Sequence, residues 1–202
     1  MNVTLNNSAS FVAKLFAAAT MIAMVAGMGQ TSEAQTTSYS VAVKTGSRSG
    51  AGTDSNIYLT IRGTRGVTNR IRLNRYGSGD VFEAGNTDVF NLSLRDFGPA
   101  RYLELENSAD YTIGNDWFVN QIEVTYIPPQ HLVHFDNALA QFTSSRDATA
   151  YTTKLNELRK KYATITTFPV KEWVIGDERH SDGNQEQPGM WLAPGKRPVF
   201  RR

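Results

Sequence analysis

The chain has 202 residues, of which 40% are hydrophobic and 20% charged, enough for one globular domain with appendages and too apolar for a disordered polyelectrolyte. Its 21 Lys and Arg against 19 Asp and Glu leave a formal charge of +2, so no nucleic-acid footprint is expected. There is no cysteine, which excludes disulfides, thiolate metal sites and thiol nucleophiles.

At the N-terminus, Lys14 precedes an apolar run from Leu15 to Met28, and Ser32-Glu33-Ala34 places small residues at the two positions a signal peptidase inspects. Residues 1–34 therefore read as a secretory signal peptide cut after Ala34, with a retained anchor as the alternative. The expected location is secreted or cell envelope. From Tyr39 the pattern has period two: Tyr39, Val41 and Val43, then Ile57, Leu59 and Ile61, then Ile71 and Leu73 after the turn signal Gly63-Thr-Arg-Gly66. Phe90, Leu92 and Leu94 continue it, followed by Leu103 and Leu105 and a longer run from Trp117 to Tyr126. Short alternating strands with no helix between them predict an antiparallel sandwich or barrel.

Two loops between these strands carry the polar chemistry. Thr45 to Asn56 holds Gly46, Gly50, Gly52 and Asp54; glycines let backbone carbonyls turn inward, and an aspartate supplies the charge a hard cation wants. The same residues also fit a plain hairpin whose aspartate caps its own turn. Asn74 to Asn86 is again glycine-rich and carries Asp80 and Glu83. Arg62, Arg65, Arg70, Arg72 and Arg75 crowd one segment, as on a solvated sheet face or a phosphate-binding stripe.

Pro128-Pro129 ends the strand series. Tyr151, Leu155, Leu158 and Tyr162 fall at spacings of four, three and four, which predicts one amphipathic helix covering a sheet edge or face. Strand character returns from Ile165 to Ile175. Residues 178–202 are rich in Gly and Pro and are expected to be a disordered tail, in which Met190-Trp191-Leu192 could dock on the domain or on a partner.

Set in order, Tyr39-Ser-Val-Ala-Val-Lys-Thr-Gly46 followed by Ala51-Gly-Thr-Asp-Ser-Asn-Ile-Tyr-Leu59 resembles the opening of a PLAT (lipoxygenase-homology) domain. Phe82-Glu-Ala-Gly-Asn-Thr-Asp-Val-Phe90, Asp96-Phe-Gly98 with Leu103-Glu-Leu105, Asp116-Trp117 with Ile122-Glu-Val124, and Phe168 through Asp177 are similar to later pieces of that family. The resemblance implies an all-β fold, an eight-stranded antiparallel β-sandwich of two four-stranded sheets. Here one helical insertion, residues 127–164, precedes the last strand of a domain at 35–177. It also implies a non-catalytic module that docks on membranes, lipids or protein partners, often with calcium. Carried over residue by residue, the family's calcium ligands fall on the carbonyls of Gly50 and Gly52 and on Asp54, Asp80 and Glu83. One ligand is shifted or lost, because Asp80-Val81 stands where the family often has Asn-Asp.

No P-loop, dinucleotide fingerprint or zincin motif appears in the sequence, while a glycosidase's pair of carboxylates needs only to converge in space. Gly46-Ser-Arg-Ser-Gly50 has Arg48 where a nucleophile elbow needs serine. His131, His134 and Asp136 could form a small metal site, or their spacing is an accident of one helical turn. The expected function is calcium-dependent docking to a lipid or membrane surface, with no enzyme activity. The alternative is a protein-interaction module using the helical insert and the tail, with calcium structural or absent.

Overall fold

The computed structural model describes residues 35–108, 116–143, 148–175 and 190–200. The expected signal peptide, residues 1–34, lies outside the described residues, as do residues 178–189 of the expected tail. The strands are β1 (Thr36–Thr45), β2 (Asn56–Gly63), β3 (Ile71–Arg72), β4 (Thr87–Arg95), β5 (Ala100–Ser108), β6 (Trp117–Ile127), β7 (Thr164–Val174), β8 (Met190–Leu192) and β9 (Val199–Phe200). They form two antiparallel sheets, one ordered β4-β1-β6-β7 and the other β3-β2-β5-β8-β9.

Period-two alternation sends one face of each sheet inward. Tyr39, Val41 and Val43 of β1 meet Ile57, Leu59 and Ile61 of β2, Phe90 and Leu92 of β4, Leu103 and Leu105 of β5, and Trp117, Ile122 and Val124 of β6 in one core. The sandwich is the expected fold, and the second sheet carries one strand more than four. That strand corrects the tail. Met190 and Leu192, both buried, pair with Leu105 and Leu103, and β9 pairs in turn with β8. This segment is therefore sheet rather than disordered tail, because the outer edge of β5 offers both free backbone groups and the open side of the core.

The insertion holds two helices where one was expected: α1 (Pro129–Thr143) and α2 (Ala148–Tyr162). Pro129 is the first residue of α1, a position that tolerates proline because the N–H it lacks would have no intrahelical partner. Phe135 and Leu139 of α1 pack with Tyr151, Leu155 and Leu158 of α2 and with Ile127. Arg159 reaches down to Thr125 Oγ1 at 3.3 Å. Thr125 and Ser40, register partners on the face away from the core, are both buried. The helical pair thus covers the outer side of the four-stranded sheet. β7 is an edge strand, which is why Pro169 can stand opposite Gln121 beside a break in the register.

Candidate metal centre

One end of the sandwich is built from two loops that cross between the sheets in opposite directions. Residues 46–55 lead from β1 of the four-stranded sheet to β2 of the five-stranded sheet; residues 76–86 lead from β3 back to β4. Backbone bonds tie the two: Gly85 N–H donates to Gly46 O at 2.8 Å, and Thr53 N–H to Phe82 O at 3.3 Å. Asn74, just ahead of the second loop, ties it to the end of the first and the start of β2, accepting from Ile57 N–H at 2.8 Å and donating to Ser55 O at 3.0 Å. The loops come so close at Gly52 that a Cβ there would lie 3.1 Å from Phe82 O and 3.2 Å from Ala84 N. A side chain there would press the two backbones apart by a few tenths of an ångström. The start of β6 seats the first loop from behind, through Gly46 N–H to Phe118 O at 2.8 Å and Phe118 N–H to Ala51 O at 3.0 Å.

This packing brings Asp54, Asp80 and Glu83 together, with one carboxylate oxygen of each within 4.8 Å of the others. Asp54 and Asp80 are exposed and Glu83 is half-buried. Three oxygens spread evenly around one calcium at about 2.3–2.6 Å stand about 4.0–4.5 Å apart, so a trio within 4.8 Å of one another is close to what a single ion of that size gathers. Among the described residues no lysine or arginine pairs with any of the three. Converging carboxylates without a cation repel one another, so the donor set suits a hard divalent ion. Gly52 touches the second loop at Glu83 Cα, beside the carboxylates. Gly50 stands at the tip of the first loop with φ 71° and open space where a Cβ would lie. Among the described residues no backbone N–H donates to the carbonyl of either glycine.

Other residues fall elsewhere. Phe82, large and in the loop, is fully buried against Trp117 and Phe90, with ring centroids 4.8 and 5.4 Å apart, and is no surface anchor. Trp117 is likewise core, its Nε1–H donating to Thr45 Oγ1 at 3.0 Å. Tyr76, 48% exposed, and Ile175, 50% exposed, stand at this end of the molecule, and the Arg48 guanidinium lies 3.8 Å from the Phe118 ring centroid. His131, with His134 and Asp136 nearby in sequence, packs against Tyr162 instead; among the described residues Asp54, Asp80 and Glu83 are the one group of three metal-ligating side chains that converges. Asp88 is not one of the three converging acids. Its Oδ2 accepts the Phe82 N–H at 2.8 Å. Burial pushes its carboxyl above the usual range, the Phe82 N–H pulls it back and the Asp80 charge adds to the rise. The signal that could have found it is its phase: Asp88 falls in step with Phe90 and Leu92, at a core-facing position of β4.

Fold and loops together define a two-layer β-sandwich module with an acidic cluster at one end. Residues 39–137 match the PLAT/LH2 domain model, and this segment belongs to that domain family. The chain is 41% identical over 88 residues to human lipoxygenase homology domain-containing protein 1, covering 43% of this chain and 4% of that protein. It is 37% identical over 86 residues to the allene oxide synthase-lipoxygenase protein of Plexaura homomalla, covering 42% of this chain and 8% of that protein. A structure of coral 8R-lipoxygenase, described as activated by calcium through a C2-like domain, superposes with a TM-score of 0.50 at 25% identity over 79% of this chain and 17% of that one. The chain thus spans less than a fifth of each of these relatives.

Proposed function

We propose that this chain is a non-catalytic, exported docking module that binds calcium between its two crossing loops and uses it to attach to a lipid or membrane surface. The observation that carries this reading is the convergence of Asp54, Asp80 and Glu83 within 4.8 Å. Asp54, Asp80 and Glu83 would hold the ion, and Gly50 and Gly52 would offer carbonyls. The bound ion supplies positive charge that lipid phosphates can share. The chain's own residues do the rest: Arg48 adds a cation at the same end, while Tyr76 and Ile175 offer exposed apolar surface to the interface region. The coral lipoxygenase, whose calcium activation works through a C2-like domain, supports the same assignment. The segment around Trp191, the candidate for a protein partner, is taken up by pairing with β5, which favours the lipid reading.

Co-sedimentation with phosphatidylserine-containing vesicles tests it. The protein should pellet with calcium, stay in the supernatant with chelator, and lose the calcium response in Asp54→Ala. Protein that remains in the supernatant under every condition rules out lipid docking.

A further inference from the structure

The second loop contains a strained residue held from two sides. Phe82 has φ 67°, in the left-handed region that non-glycine residues rarely enter. Its ring is locked in the core between Trp117 and Phe90, and its N–H is held by Asp88, six residues further on. Its carbonyl accepts from Thr53, next to Asp54. Asp80 lies two residues before this bend and Glu83 one after it, so the bend decides where both carboxylates point. Asp88 is only 8% exposed, and among the described residues it has no arginine or lysine partner. A carboxylate buried without a cation is costly, and a side chain of that kind at a core-facing strand position needs a role that outweighs the cost.

We propose that Asp88 is the positioning residue of the calcium site: by accepting the Phe82 N–H it holds the left-handed bend that turns Asp80 and Glu83 toward Asp54. The inference rests on the calcium reading above. It assigns Asp88 no contact with the ion. What matters is where its acceptor oxygen sits, and its charge is secondary.

Calorimetric titration of calcium into the full chain and into Asp88→Asn, Asp88→Glu and Asp88→Ala separates these terms. Asparagine keeps an acceptor oxygen in place and drops the charge, whereas glutamate keeps the charge and moves the oxygen by one methylene. Positioning requires Asp88→Asn within about threefold of the wild-type affinity, and Asp88→Glu and Asp88→Ala weaker by about tenfold or more, as for outer partners of metal ligands. Asparagine as weak as alanine overturns the proposal, and so does glutamate as tight as the wild type. If the alanine variant does not fold, the asparagine and glutamate pair decides alone. A flat wild-type titration removes the calcium reading and the proposal with it; a wild type that binds calcium no better than Asp88→Ala and Asp88→Glu removes the proposal alone.

Discussion

Far from the acidic loops, Asp96 shows how a single carboxylate can hold several segments. It takes the Arg65 guanidinium at 2.6 Å, the Gly98 N–H at 2.9 Å and the Tyr126 hydroxyl at 3.0 Å. Tyr39 completes the cluster, accepting from Phe97 N–H and donating to Gly98 O. Burial acts to raise the Asp96 carboxyl, but the Arg65, Gly98 and Tyr126 hydrogen bonds outweigh it and hold it below the ordinary range. A depressed folded-state value means the stabilisation is full above the unfolded carboxylate range and lost as pH falls through the folded value. Asp96→Asn should therefore lower Tm at neutral pH, with the gap to wild type narrowing between about pH 5 and about pH 3. A gap that stays constant across that range would contradict the assignment. The side chain of Arg65 is 52% exposed, so solvent screens much of its share. The sequence shows Arg65 only as one of five crowded arginines, because its partners lie 31 and 61 residues away. Asp88, six residues from its partner and in phase with Phe90, was within reach of the alternation that located β4.

Among the elements, the strands with clean alternation were legible, and the short β8 was not. β1, β2, β4 and β6 each present three or more apolar residues at period two, so one misplaced residue would turn the whole strand inside out. β8 has only three residues and no period to read; its place is set by the open edge of β5. Helix α1 was missed because a proline pair reads as a stop, although Leu132, Phe135 and Leu139 carry a helical spacing. The docked C-terminal strands should matter for stability. Met190 and Leu192 are each 1% exposed, and burying such side chains contributes about 1.5–3 kcal/mol apiece. Truncation after Asp177 should then cost about 3 kcal/mol or more in urea unfolding. An unchanged midpoint and slope would show that β8 and β9 add nothing to the fold.

For the molecule as a whole, the layout separates two tasks. The acidic loops lie at the end where β6 begins, while the helical pair follows the other end of β6 and lies on the sheet's outer face. Changes in one should leave the other alone. Leu155→Ala, in the small core beneath the helices, should lower stability by about 2–5 kcal/mol and leave calcium affinity unchanged. Calcium at about a hundred times its Kd should raise the stability of wild type and Leu155→Ala alike by about 2.7 kcal/mol, and that of Asp54→Ala not at all. Thermal scans with calcium and with chelator would show it. The position of the acidic trio was only half legible in sequence. Asp54, Asp80 and Glu83 could be named, but their meeting depends on Gly52 letting two backbones touch.

The crossing of the two loops has a mechanical side. Asp54 leads into a strand of one sheet and Glu83 into a strand of the other, so a cation held by both would act as a rivet through the open end of the sandwich. Without it, the layers at that end are joined by the ties between the loops and by the core beneath. If a membrane grips the loops, tension on the chain reaches both sheets at once and shears them together; it does not peel one from the other. The ion that makes the attachment would then also decide how much pull the attached domain can withstand.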